Sequence, residues 1–274
     1  MRTLRAGLSI FRIQLISGLQ YRLSALAGST TGIFWALIEV LVMTVFYTHA
    51  ERYTAGLEAG LTLSQAISYI WLGQCMWILQ PSNIDGTIRA QITSGDVGLE
   101  LCRPLDICAH WFARLSAVRV APLLLRGVPV LIAGLLMPAA LRLSPPASWG
   151  GLLATLAALC GALALGSAFG VLAHALLLNI RWGEGPVNML LICSMVLSGN
   201  YFPLMLWPDT LQPLLRWQPF AGLLDLPIRL YLGLLPPDGL LSTLAMQTGW
   251  AAVFLLTGRL VMRRNIRRLV VQGG

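Results

Sequence analysis

The chain contains no lysine; every one of its 19 basic residues is arginine. A phosphate-binding P-loop needs a lysine beside its Ser or Thr, because the ammonium contacts the phosphates. A Schiff-base nucleophile needs one as well. Both are excluded, so any ATP that drives this protein is bound by another subunit. Charge of either sign is scarce, at 11% of residues, where a soluble domain carries about 25%. Hydrophobic residues make up 57% of the chain, and the mean hydropathy is +0.74. That leaves too little polar surface to cover a water-soluble globule, and the class is an all-α, multi-span membrane protein. Cysteine is sparse and scattered (Cys75, Cys102, Cys108, Cys160, Cys193), with no zinc-type spacing and a reduced state expected on the cytoplasmic side. His49, His110 and His174 are too dispersed for a metal site. Met1 to Tyr21 is studded with arginine and lacks the short apolar core and cleavage site of a signal peptide.

What is present is a series of long apolar runs. A bilayer core of about 30 Å needs about 20 helical residues. Six spans are predicted: Ala25 to Tyr47, Leu63 to Ser82, Val118 to Leu141, Trp149 to Leu178, Pro186 to Ser198 and Leu240 to Val261. Residues 1–22 precede them. Apolar residues at 4, 8, 11, 15 and 19 alternate there with Arg2, Arg5, Arg12 and Arg22. This pattern predicts a helix in the membrane interface with its basic face toward anionic headgroups, rather than a nucleic-acid-binding arm. Between residues 199 and 239 the chain is rich in Pro, Trp and Leu. It is too broken for one spanning helix and too apolar for a plain loop. Short helices dipping into the outer leaflet, covered by their neighbours, are expected. No internal repeat and no separate extramembrane domain is evident, so residues 1–274 form one transmembrane domain.

The longest polar interruption lies at 83–114, between the second and third spans. It holds Asp85, Asp96, Glu100 and Asp106, with Arg89, Arg103 and Arg114. Ser94-Gly95-Asp96 marks a turn between two short amphipathic pieces, and Pro104 ends the second. This reads as a docking element for a separate protein. Arginine counts set its side of the membrane. With six spans, Arg2, Arg5, Arg12, Arg22, Arg89, Arg103, Arg114, Arg119, Arg181, Arg259, Arg263, Arg264, Arg267 and Arg268 share one side. Only Arg52, Arg142, Arg216 and Arg229 share the other. Both termini and the docking stretch are therefore expected to be cytoplasmic.

Two charges fall inside spans, Glu39 in the first and Arg126 in the third. Ionisable groups in hydrocarbon mark a function or a partner. They are expected to pair with each other, to line a substrate path, or, for Arg126, to snorkel. Small residues recur every fourth position on the fourth span, ending in Gly166, Gly170 and His174, and Gly28 and Gly32 share a face of the first. These are expected to be close helix contacts.

The arrangement resembles permeases of the ABC-2 type exporter family. Ser94-Gly95-Asp96-Val97-Gly98-Leu99-Glu100-Leu101-Cys102-Arg103-Pro104-Leu105 is similar to that family's Gly-x-x-x-x-Leu-Leu-x-Arg-Pro-Leu segment; Glu100 and Cys102 depart from its usual apolar choices. Leu197-Ser198-Gly199-Asn200-Tyr201-Phe202-Pro203-Leu204, followed by Trp217-Gln218-Pro219-Phe220 and Leu226-Pro227, is similar to its outward hairpin. The resemblance spans nearly the whole chain. It implies a subunit of an ATP-driven exporter in a bacterial cytoplasmic membrane, with a second permease, identical or homologous, and two separate ATPase subunits. ATP and Mg would sit on those subunits, and no cofactor on this chain. The 83–114 loop would be a coupling helix. Asp85, Arg89, Gly95, Asp96, Glu100, Arg103 and Pro104 would set partner choice and shape, and Val97, Leu99 and Leu101 the grip. Glu39, Arg126, Asn200, Tyr201, Phe202 and Pro203 would line or gate the path of an amphipathic or lipid-like cargo.

Two other classes compete. A secondary transporter driven by an ion gradient would use Glu39, Arg126 or His174 as a relay. A membrane enzyme has less support. Asp85-Gly86-Thr87-Ile88-Arg89-Ala90 is similar to the start of the alcohol phosphatidyltransferase signature, but Ala and Arg are exchanged and the later aspartate pair is missing. No Ser-His-Asp or paired-carboxylate arrangement is found.

Overall fold

The computed structural model describes residues 2–20, 22–53, 61–81, 83–98, 106–178 and 184–266. Every regular element among them is helical. Helix α1 is Arg2–Gln20, α2 is Arg22–Tyr53 and α3 is Leu63–Met76, extended by a 3-10 turn at Trp77–Leu79. Helix α4 is Gly86–Ser94. Helices α5 (Ile107–Pro122) and α6 (Val128–Leu136) are joined by a π-helical turn, Leu123–Gly127. Then come α7 (Trp149–Leu177), α8 (Gly185–Leu197), the short α9 (Gln212–Trp217), α10 (Asp225–Leu232) and α11 (Gly239–Ile266).

Four helical runs among the described residues are long and apolar enough to cross a membrane: Leu23–His49, Ile107–Leu136, Trp149–Leu177 and Gly239–Ile266. The expected second and fifth spans are shorter, at Leu63–Leu79 and Gly185–Leu197. The helix expected from Val118 begins instead at Ile107. Asp106 caps it, its carboxylate accepting from the N–H groups of Cys108 and Ala109. An N-cap supplies the acceptor that the first helical N–H groups lack, so the helix starts at the cap rather than at the edge of the apolar run. It ends at Leu136, before Pro138.

Close approaches fix how the helices run. A Cβ on Gly18 would lie 2.7 Å from that of Ala121, and Gly7 faces Ala113, so α1 and α5 run side by side in one direction. Gly28 meets Arg126 and Gly32 meets Val130, so α2 runs the same way. Helix α3 is antiparallel to them: Gly127 lies on the Cys75 carbonyl and Gly134 on the Trp71 ring. Gly161 meets Gln247 and Gly258 meets Leu172, which makes α7 and α11 parallel to each other.

The π-helical turn has a local cause. Pro129 cannot donate to the carbonyl four residues back, which frees the ladder one turn earlier. The glycine that ends the widened turn then packs on the backbone of α3. Single π turns inside α-helices recur at functional positions, and this one contains Arg126.

One end of the bundle gathers α4, Asp106, Glu184 and the end of α11. Arg259 pairs there with Asp106, Arg89 with Glu184 at 2.6 Å, and Asn265 donates to the Ala175 carbonyl at 3.0 Å. The other end is closed by Tyr47 on Leu61, Trp71 on Leu141 and Tyr231 on Ser144, each donating to a backbone carbonyl.

Candidate functional site

A cleft of about 180 Å³ opens between α2, α3 and the break that follows α8. Ile38, Glu39, Val42, Met43 and Phe46 form one wall and Tyr69, Ile70, Gly73 and Gln74 the second. Asn200, Tyr201, Phe202 and Pro203 close it. Five of the six path residues read from the sequence thus meet in one place, although about 160 residues of chain separate the two groups. The lining is mostly apolar, with Glu39, Tyr69, Gln74, Asn200 and Tyr201 as its polar side chains.

Glu39 accepts from the Gln74 amide at 3.1 Å. Asn200 accepts from Gln80 at 3.1 Å. Tyr69, almost fully buried, donates to Asp225 at 3.0 Å, and Asp225 pairs with Arg229 at 2.6 Å. These contacts pin α10 and the hairpin to α3. Gly199 makes the turn into the hairpin with φ +85, a conformation that favours glycine. A Cβ there would also lie 2.3 Å from the Tyr69 hydroxyl. Gln74, Tyr69 and Asp225 were not singled out in the sequence. A signal existed, since each is a polar group in a stretch otherwise suited to a hydrocarbon or hairpin interior.

Arg126 lies elsewhere. Its side chain rests against α2, where a Cβ on Gly28 would be 3.2 Å from its Cδ and its Nε is 3.8 Å from one on Gly32. Among the described residues no ion pair joins it to Glu39, and its Nε has no hydrogen-bond partner. The pairing of these two charges is therefore not found. Of the two glycines expected as a helix contact, Gly28 lies against the Arg126 side chain, and Gly32 lies against Val130 with the Arg126 guanidinium beside it.

The predicted docking stretch is partly described. Asp85 caps α4, accepting from Thr87 and Ile88 at 3.0 Å each. Gly95 ends it in the left-handed conformation at φ 82. Leu99, Glu100, Leu101, Arg103 and Pro104 lie outside the described residues. Helix α4 buries Ile88 and Ile92 under α7 and exposes Thr87, Arg89, Thr93 and Ser94, with Gly95 and Asp96 exposed beyond its end. Val97, expected to grip a partner, is 1% exposed and belongs to the chain's own core with Trp111 and Phe169. An apolar residue one turn beyond a capped helix is more easily covered by its own bundle than left for a partner.

His174 ties this element to the membrane helices. Its Nε2 accepts from the Asp85 N–H at 2.9 Å and its Nδ1 faces the Gly170 carbonyl at 2.7 Å. Asp85 also pairs with Arg114 of α5 at 3.3 Å. Gly170 leaves room for α5: a Cβ would meet Leu115 at 3.1 Å and the Arg119 guanidinium at 3.2 Å. Gly166 does the same for the Leu79 carbonyl, 2.5 Å from where a Cβ would be. Among the described residues no group of three or more metal-ligating side chains assembles.

The sequence model of a family described as ABC-2 family transporter protein matches residues 31–273. No curated protein and no solved structure matches the chain.

Proposed function

The chain belongs to the ABC-2 family of transporters, and from that premise we propose that it is the permease subunit of an ATP-driven exporter. The cargo, an amphipathic or lipid-like molecule, crosses at the cleft between α2, α3 and the hairpin. The observation that carries this reading is the convergence of Glu39 with Asn200–Pro203 in one apolar cleft. An intramembrane carboxyl and a broken helix end are both expensive in lipid, and their meeting favours a transport path over two unrelated defects.

The ATPase docks at α4 and the residues that follow it. The exposed polar face of α4 supports this, and so does its fastening to α7 through His174. Displacement of a docked subunit would move Asp85, and Asp85 is bonded to both α5 and α7. ATP and Mg belong to two copies of that partner. A second permease, identical or homologous, covers the α2 and α5–α6 faces, which expose Phe34, Leu41, Val45, Leu124 and Val128.

Six crossings are the reading that best uses the helix directions, with α3 and α8 as short spans two and five. Helix α8, at 13 residues, stops short of the roughly 20 needed, which suits a hairpin re-entering from the outer side. The arginine-rich end is then cytoplasmic, and both termini with it, in a bacterial inner membrane.

The test is purification of the full chain from its host in mild detergent, with mass spectrometry of what accompanies it. Recovery of an ATP-hydrolysing subunit that is lost when Glu100 and Arg103 are both replaced by alanine is the expected result. A chain that purifies alone and moves cargo on a proton gradient overturns the proposal in favour of a secondary transporter.

A further inference from the structure

We infer that the cleft selects amphipathic cations, with Glu39 as the group that receives the positive charge. The inference deepens the transport reading and rests on it for the cleft being a cargo path.

The chain treats its carboxylates consistently, with one exception. Among the described residues, each buried or half-buried carboxylate other than Glu39 is paired with an arginine: Asp85 with Arg114, Asp106 with Arg259, Glu184 with Arg89 and Asp225 with Arg229. Asp96, Asp209 and Asp238 are exposed. Glu39 is half-buried 17 residues into a 27-residue apolar run, and its partner is the neutral Gln74 amide. Arg126, the arginine of the π turn between α5 and α6, packs against α2 at Gly28 and Gly32. Those residues lie about two to three turns before Glu39 on α2, roughly 10–16 Å at a 1.5 Å rise per residue. Among the described residues no cation pairs with the carboxyl.

A carboxyl in an apolar, water-poor cleft is left to be matched by the ligand. The surrounding groups fit the same chemistry. Gln74 holds one oxygen of Glu39 and leaves the carboxyl with acceptor capacity for a donor in the cleft. Phe46 and Phe202 meet edge to face at 6.5 Å, with Tyr201 beside them, and aromatic rings attract a cation that has shed its water. Val42 and Phe46 line the cleft and are exposed, so the cleft is open along α2 and the apolar part of the ligand can remain outside while its charged head enters. An anionic head would instead face an unneutralised carboxyl in low dielectric.

The test uses two probes of the same shape, benzyltrimethylammonium and its uncharged carbon analogue neopentylbenzene, with benzylsulfonate as the anion. Binding to the full chain in lipid nanodiscs is followed by saturation-transfer NMR. Saturable binding of the ammonium, at least tenfold tighter than the hydrocarbon and absent for the sulfonate, is expected. Glu39→Gln is expected to abolish that tenfold preference, so that the ammonium and the hydrocarbon bind with similar affinity; Glu39→Asp, which keeps the charge, is expected to retain most of it. Equal binding of ammonium and hydrocarbon by the wild-type chain overturns the inference, as does an unchanged preference in Glu39→Gln. Absence of saturable binding by a folded wild-type chain overturns it too. Retention of the ATPase during purification is scored separately, so a permease that docks its ATPase yet lacks charge preference loses this inference and keeps the transport reading.

Discussion

The backbone N–H of Asp85 donates to Nε2 of His174 across 2.9 Å, while Nδ1 of the same ring faces the Gly170 carbonyl at 2.7 Å. Satisfying both contacts requires the ring proton on Nδ1, which leaves Nε2 as the acceptor. The N-cap of α4 and the C-terminal part of α7 are thereby fastened by one imidazole, 89 residues apart in the chain. The Asp85 carboxylate is occupied on its other side by Arg114, so a single residue links α4 to both α5 and α7.

Replacing His174 with alanine removes the acceptor of a partly buried N–H. Leaving such a donor unmade costs about 1–3 kcal/mol, and here the loss falls on the attachment of α4 rather than on the whole bundle. Amide hydrogen exchange over residues 85–94 is expected to rise about tenfold or more, with little change along α2 and α3. His174→Gln, which keeps a side-chain acceptor, is expected to restore part of the protection. Unchanged exchange in the alanine variant would remove His174 as the fastening.

A second prediction concerns the hairpin. Asp225 is 1% exposed and lies between the Tyr69 hydroxyl and the Arg229 guanidinium. Asp225→Leu leaves the arginine buried without its counter-charge, and breaking a buried pair in this way costs about 3–5 kcal/mol. The double variant Asp225→Leu with Arg229→Leu removes both charges and is expected to recover most of the loss. Tyr69→Phe, which deletes one hydrogen bond, is expected to cost about 1 kcal/mol. Thermal melting in detergent, followed by the fluorescence of the nine tryptophans, ranks the four proteins. A double variant no more stable than the single one would show that the pair is not what holds α10.

Gly199 offers a third. Alanine there must adopt a left-handed φ and also displace the Tyr69 hydroxyl from a position 2.3 Å from its Cβ. Strain of this kind costs about 1–3 kcal/mol, and it enters at the wall of the cleft. A lower melting temperature is expected together with loss of cleft ligand binding. Gly95→Ala shares the left-handed φ but has nothing within 4 Å of its Cβ; it is expected to destabilise less and to leave the cleft intact.

Much of this architecture is legible in the sequence because the bilayer makes composition nearly decisive. Long apolar runs had to be helices, and Glu39 stood out because a carboxylate in hydrocarbon needs a reason. The turn at Ser94-Gly95-Asp96 follows from residue chemistry alone. Three things were not legible. The start of α5 depends on Asp106 acting as a cap inside a polar stretch, a local hydrogen bond that hydropathy does not register. Arg126 and Glu39 share the membrane interior, but a linear reading cannot tell that one faces glycines of α2 and the other Gln74 of α3. His174 was read as the end of a small-residue series; its second contact, to Asp85, is a long-range feature with no trace in the spacing.

Two glycines outside the small-residue series give the last prediction, because their surroundings differ. Gly161 sits against Gln247, whose amide donates to the carbonyls of Ala158 at 3.0 Å and Gly222 at 2.8 Å. A Cβ on Gly161 would lie 1.9 Å from the Gln247 carbonyl oxygen. The glutamine is fully buried and cannot swing into solvent, so Gly161→Ala must either push α11 away from α7 or break both hydrogen bonds. Overpacking of this kind costs about 1–3 kcal/mol. Gly249, on the same helix as Gln247, has nothing within 4 Å of its Cβ, and alanine in a helix interior is favoured over glycine by about 1 kcal/mol. Gly161→Ala is therefore expected to lower the melting temperature and Gly249→Ala to leave it unchanged or raise it. If Gly249→Ala is the more damaging of the two in the assembled transporter but not in the isolated chain, that face of α11 is covered by a partner. If Gly161→Ala is silent in both, the close packing of α7 on α11 is wrong.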